Sequence, residues 1–174
     1  MRLFIAINFE KEALEKLTAV REDLRKRAKQ GNFSRDENLH LTLAFLGECK
    51  PEQLKAARSA LESLDFEPFE LEAEGLGRFR REGGDIYWVG IRPNEKLEEI
   101  HKQITKKLAD TFSLDSKKFT PHITLGREVI LKEKPANFGG FSQTVYSIDL
   151  MKSERAEGVL TYTRIYSKRA DRTL

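Results

Sequence analysis

His40-Leu41-Thr42-Leu43 and His122-Ile123-Thr124-Leu125 are one four-residue phrase written twice, and they use two of the three histidines among 174 residues. Side chains on a β-strand alternate between faces with period two, so each His-x-Thr sends both polar groups to one side and its aliphatic residues to the other. A single copy would describe an ordinary half-buried strand. Two copies imply a duplicated unit whose halves meet about a pseudo-two-fold axis, bringing His40, Thr42, His122 and Thr124 together.

The flanking segments repeat in kind. Leu3, Ile5 and Ile7 alternate with Phe4 and Ala6 in a run read as a central strand buried on both faces. From Lys11 to Gln30, Leu14, Leu17, Val20 and Leu24 form the stripe of an amphipathic helix ended by Gly31. Downstream, Ile86 to Ile91 reads as a strand, Pro93-Asn94 opens a helix with the stripe Leu97, Ile100, Ile104, Leu108 and Phe112, and the second motif follows. Ile5 and His40 are 35 positions apart, as are Tyr87 and His122 (40 − 5 and 122 − 87). The remaining segments add a helix over Leu54 to Leu64, a strand over Phe69, Leu71 and Ala73, and two late strands, Phe141 to Met151 and Gly158 to Ser167, joined through Ala156-Glu157-Gly158. Nothing between them is long or polar enough to be a linker, so residues 1–174 are read as one domain with two lobes.

Composition narrows the function without deciding it. The charged fraction is 34 %, yet 31 basic against 28 acidic residues leave a net charge of only +3, which permits a nucleic-acid partner without requiring one. Arg21, Arg25, Lys26, Arg27 and Lys29, then Arg78, Arg80 and Arg81, then Lys168, Arg169 and Arg172 form three basic clusters, each read as a solvated surface unless it lies beside the site. The lone Cys49 allows no internal disulfide, and no Cys/His cluster has metal-ligand spacing. With no leader-like segment and no apolar run of about 18 residues, the expectation is a cytoplasmic protein that neither enters nor crosses a membrane and works as a monomer.

Paired imidazoles suit a reaction that removes one proton and delivers another, because histidine titrates near neutral pH. A ribose 2′,3′-cyclic phosphate is such a substrate: a base activates water, an acid protonates the departing oxygen, and two threonine hydroxyls hydrogen-bond the phosphoryl oxygens. No metal and no cofactor are called for. Arg127 could add a cation, although its odd offset from His122 points it to the opposite face of a regular strand. Phe45 and Phe119 flank the motifs and either stack a base or fill the core. His101 reads as a helix-boundary residue outside the site, and Gly75-Leu76-Gly77 lacks the third glycine of a dinucleotide loop.

Arg2-Leu3-Phe4-Ile5-Ala6-Ile7, Asn38-Leu39-His40-Leu41-Thr42-Leu43-Ala44-Phe45-Leu46-Gly47 and Phe119-Thr120-Pro121-His122-Ile123-Thr124-Leu125-Gly126-Arg127 resemble the opening strand and the two motifs of the 2H phosphoesterase superfamily. Within it the chain is most similar to the RNA 2′,3′-cyclic phosphodiesterases first called 2′-5′ RNA ligases. That resemblance implies an α+β, bilobal fold of two pseudo-symmetric lobes, each an antiparallel sheet with flanking helices around a central groove. It further implies hydrolysis of a terminal 2′,3′-cyclic phosphate, on RNA ends or nucleotides, to a 2′-phosphomonoester. His40 would be the proton donor, His122 the proton acceptor, and Thr42 and Thr124 the phosphate ligands, with 2′-5′ ligation as a side activity. The rival reading is a catalytically idle module that binds RNA ends or nucleotides.

Overall fold

The computed structural model describes residues 1–171; Arg172, counted above in the third basic cluster, lies outside them. The chain runs β1 (Arg2–Asn8), α1 (Lys11–Lys26), β2 (Ala28–Phe33), a 3₁₀ turn (Asp36–Asn38), β3 (His40–Glu48), α2 (Pro51–Glu62), β4 (Phe69–Phe79), β5 (Asp85–Ile91), α3 (Glu95–Leu108), β6 (His122–Leu131), β7 (Phe141–Val145), β8 (Ser147–Ala156) and β9 (Val159–Arg169). The strands form one antiparallel sheet in the order β7-β4-β5-β6-β3-β1-β8-β9, with β2 also paired to β6. The two motif strands are therefore neighbours at its centre, bridged at Leu41 and Ile123, and four strands lie to each side of that junction.

The pairing of the strands repeats between the two halves. His40 lies opposite Asn8, and His122 lies opposite Gly90, so the whole pairing repeats at an offset of 82 residues (122 − 40). Even the irregularities repeat. In one half Ile5 and Ala6 face Ala44 and Thr42, and in the other Tyr87 and Trp88 face Gly126 and Thr124, an extra residue in each motif strand at the same place. A bulge of this kind reverses the alternation of faces beyond it.

One face of the sheet packs with α1, α2 and α3 in a single apolar core that includes Leu3, Ile5, Ile7, Leu41, Ile123, Leu125 and Leu150. Leu97, Ile100, Ile104 and Leu108 of α3 are almost fully buried there, and Asn94 caps that helix by accepting the Leu97 N–H at 3.0 Å. The opposite face holds a second small cluster of Phe4, Ala6 and Met151, with Tyr162 against it. Thus β1 is buried on both sides, as its sequence implies.

Two expectations are corrected. The helix expected to reach Gln30 stops at Lys26, because Ala28–Phe33 instead supplies hydrogen-bonding partners to the edge of β6; backbone pairing and the packing of Phe33 outweigh the helical preference of a charged segment. The strand expected over Phe141–Met151 is two strands broken at Tyr146. β7 pairs with β4 at one end of the sheet and β8 with β1 towards the other, so the sheet curls until those regions meet. Gln143 closes the seam, accepting the Glu10 N–H at 2.8 Å and donating to the Asn8 carbonyl at 3.2 Å.

Candidate active site

The motif strands deliver their histidines to the face away from the helices, and the local sequence fixes each ring in the same way. His40 Nδ1 lies 2.7 Å from the carbonyl of Asn38, and His122 Nδ1 lies 2.6 Å from the carbonyl of Thr120, two residues earlier in each case. A carbonyl only accepts, so Nδ1 carries the proton and Nε2 is the nitrogen offered to a substrate. The halves then differ. Thr42 Oγ1 sits 2.8 Å from His40 Nε2, while among the described residues no such bond joins Thr124 to His122.

Aromatic rings wall both imidazoles. Phe4 and Tyr162 lie 4.9 and 5.3 Å from His40 between ring centroids, and Phe79 and Trp88 lie 5.1 and 5.8 Å from His122. Burial pushes the His40 imidazole below the ordinary histidine value; the Asn38 carbonyl opposes this, while the Arg127 and His122 charges add to it. Burial also lowers His122, opposed by the Thr120 carbonyl and reinforced by Arg127. Both shifts favour the neutral imidazoles in the free protein, and an anion placed between them would favour their protonated forms.

Arg127 lies on the histidine face, and the bulge explains why. Leu125 and Gly126 are buried in succession, so the alternation shifts and Arg127 emerges on the histidine face despite its odd offset. Its charge is felt by His40, His122 and Tyr162 alike. Phe45 is its counterpart in the first half: it is 52 % exposed, with the Arg2 guanidinium 4.9 Å above its ring. Phe119 is not beside the motif histidines. It stacks on His101 of α3 at 3.9 Å with the planes 1° apart and packs on the core, because the loop before β6 turns its ring towards that helix.

Sequence reading missed the four aromatic walls and Asn38. Asn38 donates from Nδ2 to the Leu160 carbonyl at 3.0 Å, tying the residue before the motif to β9. Its Oδ1 and the Trp88 Nε1 are buried without a hydrogen-bond partner among the described residues, and each belongs to a residue adjoining a motif histidine. Gly77 is explained as well: a Cβ there would stand 2.1 Å from the Trp88 ring, so the glycine lets the indole lie flat across β4. The 82-residue offset was the available signal for Trp88, which aligns with Ala6; nothing in the sequence marks Tyr162. Among the described residues no group of three or more His, Cys, Asp or Glu side chains converges in a way that could hold a metal ion, and no helix is long and apolar enough to cross a membrane.

A curled, pseudo-two-fold sheet carrying paired His-x-Thr motifs at its centre defines a two-histidine phosphoesterase architecture. The model of the 2′-5′ RNA ligase superfamily matches residues 7–150, and the chain belongs to that family. It is 31 % identical over 130 residues to an RNA 2′,3′-cyclic phosphodiesterase of Thermotoga maritima, covering 73 % of this chain and 70 % of that one. It is 32 % identical over 131 residues to the protein of that name from Escherichia coli, covering 73 % of each. Among solved structures it is similar to E. coli LigT complexed with 3′-AMP, with a TM-score of 0.85 and 29 % identity across 98 % of both chains.

Proposed function

We propose that this protein is an RNA 2′,3′-cyclic phosphodiesterase that opens a terminal cyclic phosphate to a 2′-phosphomonoester, with the proton work divided between His40 and His122. The observation that carries this reading is the matched pair of imidazoles, each with Nδ1 tied to a backbone carbonyl two residues back, so that two Nε2 atoms are offered on one face. Family membership and the names of the relatives support the substrate class.

The two imidazoles share one tautomer, and the roles of donor and acceptor are those that the family resemblance implies. The anionic phosphate, held by Thr42, Thr124 and Arg127, raises the proton affinity of the imidazoles beside it, and in the assignment carried over from the family His40 is the protonated ring and His122 the neutral one. His122 Nε2 accepts a proton from water as the water oxygen bonds to phosphorus. The P–O3′ bond breaks, and His40 Nε2–H protonates the departing 3′ oxygen, leaving the phosphate on O2′. Arg127 and the threonine hydroxyls offset the negative charge that grows on the phosphoryl oxygens. Phe45, exposed beside Arg2, offers a face on which the terminal base stacks. The protein acts as a cytoplasmic monomer in this reading.

Incubation with nucleoside 2′,3′-cyclic phosphates and a cyclic-phosphate-ended oligoribonucleotide, with chelator present, tests it. The 2′-monoester is the expected product. A 3′-monoester would reverse which oxygen the acid serves, and binding without turnover would favour the idle module.

A further inference from the structure

Beyond the histidines, the same face of the sheet carries a buried carboxylate that the proposed reaction does not use. Asp149, on β8, is 1 % exposed. It accepts from Asn8 Nδ2 at 2.7 Å and from Ser167 Oγ at 2.6 Å, and Arg164 Nε approaches it at 3.1 Å. Asn8 is the residue directly opposite His40 on β1, so this network adjoins the site. A carboxylate this buried, holding a guanidinium in one direction, is suited to positioning that charged group.

The arginine of that pair is not itself buried. Its side chain is 56 % exposed, and anchoring through Nε leaves the outer guanidinium edge, with its parallel N–H donors, facing away from the carboxylate. Arg164 stands two residues beyond Tyr162 on a regular stretch of β9 and therefore shares its face, and Tyr162 packs against His40. Its register partner Met151 lies in the apolar patch with Phe4 on that face.

The other half of the sheet is mixed in charge. Phe69, Leu71 and Ala73 of β4 are buried, and Glu70, Glu72 and Glu74 project to the opposite side, exposed. Arg92 pairs with Glu72 and Glu74, and Arg78, Arg80 and Arg81 stand at the far end of β4, whereas across β1, β8 and β9 Arg2 and Arg164 are the cations a polyanion leaving the centre meets.

We propose that Arg164, oriented by Asp149, binds the phosphodiester on the 5′ side of the nucleotide bearing the cyclic phosphate, so that the protein prefers an RNA end to a free nucleotide. This deepens the reaction proposed above and rests on it. The test compares kcat/KM for a cyclic-phosphate-ended oligoribonucleotide with that for a nucleoside 2′,3′-cyclic phosphate. Arg164→Gln should lower the first at least about 10-fold more than the second, through KM, as expected for loss of a charge-assisted phosphate contact. It should also reduce the salt dependence of the oligonucleotide KM by about 0.7 in log–log slope, one single-strand phosphate. Arg164→Lys, which keeps a cation over Asp149, should recover part of the preference, and Asp149→Asn should weaken it in the same substrate-dependent way. Equal losses on both substrates, or none on either, would overturn the inference while leaving the phosphodiesterase reading intact. No turnover of either substrate by the unaltered protein would overturn both.

Discussion

Phe45 and Arg127 occupy equivalent positions, each five residues after its histidine and each returned to the histidine face by the same one-residue bulge. The duplication is thus broken at this pair of positions. One half offers an exposed ring, the other a cation whose field reaches both imidazoles.

That field gives the first prediction a sign. Arg127 lowers the proton affinity of His40 and His122, so Arg127→Gln raises both, and both limbs of the bell-shaped kcat/KM profile should move to higher pH. The peak rate should fall by about 10²-fold for loss of a charge-stabilising donor. An unmoved pH profile would place Arg127 outside the site.

Trp88 is the only tryptophan in the chain, and its ring centroid is 5.8 Å from that of His122. Its emission should therefore titrate with His122, at an apparent value below the ordinary histidine value near 6.5. His122→Ala should remove the step. A transition unchanged in that variant would mean that another group is being sensed.

Gly77→Ala places a methyl group where the Trp88 ring lies, 2.1 Å away. The indole must tilt from its seat beside His122, at a cost of about 1–3 kcal/mol for overpacking. Thermal unfolding should show the loss, and turnover should fall with it. Wild-type stability and rate together would show that the ring accommodates the methyl.

Arg21 is a structural clamp despite its place in a basic cluster. It is 8 % exposed and donates to the Ser34 carbonyl at 2.8 Å and to Asp36 Oδ1 at 2.5 Å, tying α1 to the segment that carries Asn38 and His40. Arg21→Met should cost about 1–3 kcal/mol, with Tm falling some 2–4 °C for each kcal/mol in a chain of this size. An unchanged Tm would contradict that role.

The motif strands, the core stripe of α3 and the doubling of the unit were legible because each rests on local periodicity. The placement of the four motif residues on neighbouring central strands was also legible, since repetition marks them. Arg127 was ambiguous for a definite reason: its face depends on a bulge, and alternation read from sequence assumes none. β2 was missed because Ala28–Phe33 has no strand pattern and is held by an edge that only the fold creates. The break at Tyr146 is equally non-local, being a consequence of sheet closure. Tyr162 and Asp149 come to the site from the last hairpin, more than 100 residues from His40, and no spacing rule reaches that far.

The division of proton work between two histidines is tested most directly by turnover of a 2′,3′-cyclic phosphate by His40→Ala, His122→Ala and the double variant, each checked for retained fold. Each single substitution is expected to lower kcat by about 10²- to 10⁴-fold, and the double variant should be far less impaired than the product of the two, as for residues that act as a unit. Near-normal turnover in either single variant would contradict the two-histidine mechanism.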